Sequence, residues 1–196
     1  MSTLPPDPET AAGRSPGAPR ADGPRQGQDL PEAEALLALE RRARRGGSSL
    51  REPDLEGLWL LQRVWSRGQG QPSALAGGLL RGLGASLRIE RRAGPAGTAG
   101  AAEALQLTNS VRLGALELRF EGPGRLQGRR PLLVFGFDRL QLLAGGRVLL
   151  ERRLPAADPL RQPFFALIAA GPERRWLAAR GRSGGLAVWR LSPPPG

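Results

Sequence analysis

Side chains that could carry acid–base or nucleophilic chemistry are few in this sequence. The chain contains no histidine and no cysteine. Ser-His and Cys-His catalytic pairs are therefore excluded, as are imidazole and thiolate metal sites. Carboxylates remain, but they have no recurring spacing that would pair an acid with a base. The carboxylates considered are Glu90, Glu103, Glu117, Glu121, Asp138, Glu151, Asp158 and Glu173. We predict no catalytic residue, no metal site and no cofactor, and hence a protein that is not an enzyme.

A second candidate for chemistry is the glycine-rich segment 180–185, which reads Arg-Gly-Arg-Ser-Gly-Gly. Glycine-rich loops can hold phosphate when their backbone N–H groups converge at the start of a helix. Here no Lys-Ser or Lys-Thr follows the glycines, and no helix is predicted to begin there. The segment is better explained as the turn of a β-hairpin.

Charge is the strongest feature of the composition. The 29 basic residues, all arginine, outnumber 18 acidic residues and give a formal net charge of +11. The excess lies in residues 55–196, which hold 21 arginines and nine acids. Such a surface attracts nucleic acid, anionic membrane or acidic proteins. Specific nucleic-acid recognition is not predicted, because the tryptophans and phenylalanines fall largely within apolar alternation and not among the arginines.

The elements that would position these groups begin with a helix at residues 29–46. Asp29 and Glu32 have capping-box spacing, and Pro31 lies in the predicted first turn. Gly46 and Gly47 provide the stop. The predicted apolar face comprises Leu30, Ala33, Leu37 and Arg41, with Leu36 beside them.

From residue 55 the apolar period changes from helical spacing to strict alternation, which is typical of half-buried strands. Leu87 and Ile89 alternate with polar residues, and Leu118 and Phe120 do the same. Gly145-Gly146 predicts a tight hairpin turn. The sequence predicts strands at 57–65, 83–90, 105–108, 116–121, 132–137, 140–143, 148–154, 164–169, 176–180 and 186–191. Short strands at this spacing indicate a mainly β fold, an antiparallel barrel spanning residues 55–191 and preceded by one N-terminal helix.

Three further segments complete the predicted organisation. Residues 1–28 are rich in proline, glycine and alanine and are predicted to be a disordered tail. Residues 192–196 form a short proline-rich C-terminal tail. Residues 73–83 combine helical leucine spacing with glycines, and we expect a short helix or loop that caps one end of the barrel.

Two segments resemble the plastid lipid-associated proteins, also called fibrillins, in their cyanobacterial form. Residues 55–61 (LEGLWLL) are similar to the Leu-x-Gly-x-Trp-x-Leu first strand of that family. Residues 180–188 (RGRSGGLAV) are similar to its closing Arg-Gly-x-x-Gly-x-Leu-x-Val hairpin. The strand before that hairpin departs from the family, because residues 176–179 read Trp-Leu-Ala-Ala and lack the acidic and arginine positions. The family-motif residues are Gly57, Trp59, Arg180, Gly181 and Gly184.

The resemblance implies a lipocalin-like barrel that carries an isoprenoid, quinone, carotenoid or lipid near a photosynthetic membrane. It also implies a cytoplasmic protein that is peripheral to a thylakoid. The predicted inward-facing residues would line a cavity of roughly 300 Å³ or more. They are Leu87, Ile89, Leu107, Leu118, Phe120, Phe135, Phe165 and Leu167. The alternative function is that of an assembly factor with a fully packed barrel, whose basic face binds an acidic protein, a membrane surface or nucleic acid without sequence preference.

Overall fold

The computed structural model describes residues 30–67, 84–92 and 104–193. The predicted tail at 1–28 and the predicted cap at 73–83 lie outside the described residues, as do Glu103 and most of the C-terminal tail. The described part of the chain contains two α-helices and ten strands: α1 Ala33–Gly46, α2 Glu52–Leu55, β1 Gly57–Trp65, β2 Ser86–Arg92, β3 Ala104–Leu113, β4 Leu116–Gln127, β5 Leu132–Phe135, β6 Arg139–Ala144, β7 Arg147–Arg153, β8 Phe164–Ala170, β9 Trp176–Gly181 and β10 Leu186–Leu191. Two short 3-10 helices lie at Pro159–Arg161 and Pro172–Arg174.

Eight of these strands close into an antiparallel barrel in the order β1-β2-β3-β4-β5-β8-β9-β10. Pairing of β1 with β10 completes the ring and places Leu61 opposite Trp189. Closure removes the unpaired edges that an open sheet would leave. The predicted fold class, an antiparallel barrel with one N-terminal-side helix, is confirmed.

Strands β6 and β7 do not belong to the ring. They form a hairpin that pairs with the first half of β4, where Phe120 opposes Leu140. The second half of β4 pairs instead with β5, where Gly124 opposes Phe135. The hairpin therefore branches from the barrel wall, and we call β6 and β7 the extension. Its turn is at Gly145-Gly146, whose φ angles of +56° and +81° confirm the predicted tight turn.

The barrel has a second apolar layer on its outer surface, under α1. Leu36 of the helix packs there against Trp65, Ile168 and Val188. Strands β1, β8, β9 and β10 are thus apolar on both faces, which explains why residues 164–170 and 176–179 read as continuous apolar runs. Alternation alone could not show this layer.

Two local details, one in β1 and one in α1, differ from the sequence predictions. A β-bulge between Leu61 and Arg63 shifts the pairing of β1 and reverses its alternation, so Trp59 lies inside the barrel whereas Trp65 packs under α1. Helix α1 begins at Ala33, four positions later than predicted, and buries Leu36, Glu40 and Ala43. The predicted face was wrong in part, because Leu37 and Arg41 are exposed, whereas Leu30, Ala33 and Leu36 pack in the layer under α1.

Candidate ligand-binding site

The end of the barrel at which β1 begins is filled by side chains, and we call it the closed end. Trp59 has 0% exposure, and its Nε1 donates a hydrogen bond of 2.6 Å to the carbonyl oxygen of Leu55. Leu55 belongs to the single turn of α2 and is itself fully buried. Leu105, Leu133 and Leu177 belong to the same buried cluster. Neither of the two cavities described below is lined by Trp59, Leu105, Leu133 or Leu177.

The end at which β1 finishes is different, and we call it the open end. It contains an apolar recess with a volume of about 210 Å³. Asn109 supplies the polar side chain of its wall, whereas the hydroxyl of Ser86, which also borders the recess, bonds that of Ser110 over 2.9 Å. The apolar residues of the recess are Leu61, Val64, Ala85, Leu87, Val111, Phe165, Ala187 and Trp189.

A second cavity opens where β4 passes from its partner β5 to its partner β6. This cleft has a volume of about 450 Å³. Arg125, Asp138 and Gln162 give it polar groups, and the Arg125 guanidinium donates to the Gln162 side-chain oxygen over 3.4 Å. The other lining residues are Pro123, Gly124, Phe135, Gly136, Phe137, Ala156 and Ala157.

A chain of aromatic rings connects the two cavities. The ring centroids of Phe137 and Phe135 are 5.3 Å apart, and those of Phe135 and Phe165 are 5.1 Å apart. Phe120 extends the chain at one end and Trp189 at the other. Tilted and edge contacts at such distances are favourable for aromatic pairs. A continuous row of aromatic rings therefore joins the wall of the recess to the wall of the cleft.

An exposed apolar surface leads away from the recess along the extension. Val111 of the recess wall opposes Leu118, which opposes Leu142, which opposes Leu150. Residues directly opposite in a sheet share a face, so these four form one row. Leu118 is 38% exposed and Leu150 is 58% exposed. We call this row and its apolar neighbours Leu113 and Leu116 the apolar ramp.

The eight predicted lining residues do not all lie in the same surroundings. Leu87 and Phe165 line the recess, and Phe135 lines the cleft. Ile89, Leu107 and Leu167 are buried in the packed interior cluster and line neither cavity. Phe120 lies at the end of the aromatic chain. Leu118 lies opposite Val111 and so shares the inner face of the sheet, but its part of β4 also pairs with the extension, and it is 38% exposed and lines neither cavity.

The family-motif residues have structural contacts. Gly57 has φ +132°, and a Cβ there would lie 2.6 Å from Leu191 Cδ1. Gly181 and Gly184 form the turn after β9, where the Gly184 N–H donates to the Gly181 carbonyl over 2.9 Å. The guanidinium of Arg180 reaches α1 and forms a two-pronged ion pair with Glu40, at 2.7 Å from Nε to Oε1 and 2.6 Å from Nη2 to Oε2.

Glu40 is the buried acid that sequence reasoning missed. Its residue is 3% exposed, and Arg44 Nη2 lies 2.8 Å from its Oε1. Hydrogen bonds from Arg180, assisted by Arg44, lower the pKa of Glu40 from 4.5 to about 2, although burial alone would raise it. The available signal was its spacing, four residues after Leu36 and three before Ala43 on one helix face.

The other carboxylates of the described residues do not converge in either cavity, apart from Asp138 at the rim of the cleft. Glu117, buried in the first half of β4, is held by Arg112 at 2.7 Å and Arg119 at 2.9 Å. Burial opposes ionisation of Glu117, but hydrogen bonds from both arginines leave its pKa lowered. Within residues 30–67, 84–92 and 104–193, no group of three or more acidic side chains is placed to hold a metal ion.

In comparisons with known proteins, no family model matches the chain and no curated protein is significantly similar to it. The resemblance to the fibrillins therefore stays a prediction. None of the helices in the described part of the chain is long and apolar enough to span a membrane.

Proposed function

We propose that the protein binds an apolar small molecule, without catalysis, at the open end of its barrel. The observation that carries this proposal is the contrast between the two ends. Trp59 and its neighbours pack the closed end, whereas the open end keeps an apolar recess, which a row of aromatic rings joins to the cleft. The cleft falls within the range of roughly 300–1,000 Å³ usual for small-molecule sites.

The polarity of the two cavities favours a ligand that is apolar over most of its length. In the recess, Asn109 offers one amide, and in the cleft Asp138 and Arg125 stand at the rim. A few polar groups in an apolar site orient a ligand, and apolar burial provides the affinity. A quinone, carotenoid, isoprenoid or acyl chain has this character. That choice, and the placement near a photosynthetic membrane, rest on the resemblance.

The apolar ramp supports a binding function by offering a path along which an apolar ligand could leave or reach the recess. Its row of Val111, Leu118, Leu142 and Leu150 is continuous from the recess wall to the outer strand of the extension. Exposed apolar patches on soluble proteins commonly mark binding surfaces. Glu40 and Glu117, the two buried carboxylates of the described residues, are both held in ion pairs with arginines.

A titration with parinaric acid, a fluorescent fatty acid, tests the proposal. Trp189 lies in the recess wall, so a bound polyene should accept energy from it, and the signal should saturate. Val111→Phe fills part of the recess and should weaken binding by about tenfold or more, the equivalent of about 1.4 kcal/mol. Val148→Phe is the matched control, since Val148 is exposed on β7 and should leave the affinity unchanged.

Two results would overturn the proposal. One is a signal that rises linearly without saturation. The other is equal weakening by Val111→Phe and Val148→Phe while both variants keep the parent thermal unfolding curve. Either would favour the assembly-factor function, in which the basic outer surface and not the open end makes the contacts. Ala157→Phe adds an independent comparison, because it narrows the cleft and leaves the recess intact.

A further inference from the structure

A third cavity, outside the barrel, is lined by five arginines. It has a volume of about 540 Å³ and lies on the outer surface of β5, β8 and β9, between the last turns of α1 and the turn after β9. We call it the arginine pocket. Its arginines come from five places in the chain: Arg44, Arg67, Arg130, Arg180 and Arg182.

The positive charge of this pocket is not balanced by the described residues. One carboxylate, that of Glu40, forms ion pairs with its arginines, and it is shared by Arg44, Arg130 and Arg180. Arg182 donates to the backbone carbonyls of Gln162 and Leu160, which carry no net charge. No ion pair of Arg67 is found among the described residues. Five cations therefore face one anion, and bringing like charges together is unfavourable without a counter-charge.

Unused donors remain in the pocket. Arg180 donates from Nε and Nη2 to the Glu40 carboxylate and from Nη1 to the carbonyl of Gly184, 2.5 Å away. These three donors are therefore used within the protein. Arg130 is different, because its Nε is buried and has no hydrogen-bond partner among the described residues. A buried donor without a partner is costly, and such groups are uncommon unless an ion or ligand satisfies them.

The turn after β9 is shaped to let a further arginine approach. Gly184 has φ +90°, and a Cβ at this position would lie 3.1 Å from Arg67 Cδ. A larger residue would therefore be strained there and would also press on Arg67. The pocket floor is apolar and consists of Leu132, Phe164 and Ala166.

We propose that the arginine pocket binds the phosphate group of a ligand whose apolar part rests on Leu132 and Phe164. Guanidinium groups present paired donors that match phosphate oxygens, and charge-assisted bonds of this kind are stronger than neutral ones. Arg130 and Arg67 hold the phosphate, whereas Arg180 positions the turn and α1 through Glu40. This site goes beyond the proposed function, because it lies on the outer surface, and the barrel wall separates it from the recess.

Calorimetric titration with phenyl phosphate, a phosphate monoester with one apolar ring, tests the site. We expect saturable binding, and weaker binding of inorganic phosphate, which cannot use the apolar floor. Arg67→Gln and Arg130→Gln should each weaken phenyl phosphate binding by about tenfold. Arg67 is exposed, so its replacement should leave folding unchanged. Arg147→Gln is the matched control, because it removes the same charge from an exposed position on β7.

The outcomes distinguish phosphate binding in the arginine pocket from non-specific attraction to the basic surface and from ligand binding in the barrel. Equal weakening by Arg147→Gln and Arg67→Gln would overturn the proposal, as would the absence of saturation. Val111→Phe should leave phenyl phosphate binding intact, so failure of the barrel-ligand proposal would be visible separately. Vesicles of phosphatidylcholine containing phosphatidic acid identify the source of the phosphate. If these vesicles compete with phenyl phosphate, and the competition is lost in Arg67→Gln, the phosphate is that of a lipid headgroup. If phenyl phosphate binding saturates but the vesicles do not compete, the ligand is a soluble phosphate ester.

Discussion

Among single residues, Glu40 connects elements that are far apart in the sequence. It belongs to α1, yet its carboxylate is held by Arg180 of β9 and lies 3.6 Å from Arg130, in the turn before β5. The predicted helix face missed it because the face was drawn one residue away, through Leu37 and Arg41. One residue on a helix is a rotation of about 100°, which is enough to exchange a buried for an exposed position.

Glu40→Gln should lower the free energy of unfolding at neutral pH by about 3 kcal/mol, since it leaves Arg180 without its anionic partner. The pKa of Glu40 is about 2 in the folded protein against an ordinary 4.5, so its contribution is complete above pH 4.5 and is lost as the pH falls toward 2. Urea unfolding across that range measures both effects. Glu34→Gln, exposed on the same helix, is the control and should change little. Equal stability of the two variants would contradict this role.

At the level of elements, the alternation of apolar and polar residues was sufficient to predict a closed antiparallel barrel. It could not show where pairing departs from regularity. The bulge in β1 reverses the orientation of Trp65, a residue with 1% exposure that covers the outer layer under α1. Strand β4 was predicted to end at residue 121, because Gly-Pro-Gly is typical of turns. The strand continues to Gln127. A tertiary contact, and not the local turn preference of these residues, determines their extended conformation.

That contact is the approach of two backbones at the branch point of β4. A Cβ at Gly122 would lie 1.9 Å from the carbonyl oxygen of Gly136, and the Gly136 N–H donates to Pro123 over 3.1 Å. Gly122→Ala should therefore cost about 2 kcal/mol or more, because neither backbone can retreat without breaking strand pairing. Gly46→Ala, at the end of α1 with open space around its Cβ position, should be neutral or slightly stabilising. Thermal unfolding compares the two, and a tolerated Gly122→Ala would show that the branch point is not rigid.

For the whole molecule, the candidate sites differ in how far a linear sequence can reveal them. Leu87 follows from alternation within its strand, whereas Phe165 lies in a continuous apolar run, and both line the recess. The cleft needs Ala156 and Ala157, which lie in a connecting segment without periodic pattern. The arginine pocket gathers residues separated by up to 138 positions, from Arg44 to Arg182, so no sequence window contains it. Composition signalled an arginine excess but not its convergence.

The arginine excess also has a consequence that depends on no particular pocket. With a formal net charge of +11, the protein should bind anionic vesicles and single-stranded nucleic acid at low salt. The arginines of the extension, such as Arg147, Arg152 and Arg153, are exposed and spread along a strand instead of interleaved with aromatics, so affinity should not depend on base sequence. Fluorescence anisotropy with two oligonucleotides of unrelated sequence measures this.

Ionic strength should then separate this surface binding from the arginine pocket. The Debye length falls from about 30 Å at 0.01 M to about 10 Å at 0.1 M, so the attraction between exposed charges is largely screened and oligonucleotide affinity should collapse over that range. Phenyl phosphate binding should fall less, because Arg130 Nε is buried and close contacts are screened less than distant ones. Arg67→Gln should therefore weaken phenyl phosphate binding strongly and oligonucleotide binding only slightly. A base-sequence preference that persists at 0.1 M would contradict the surface account, because long-range charge alone cannot distinguish two sequences.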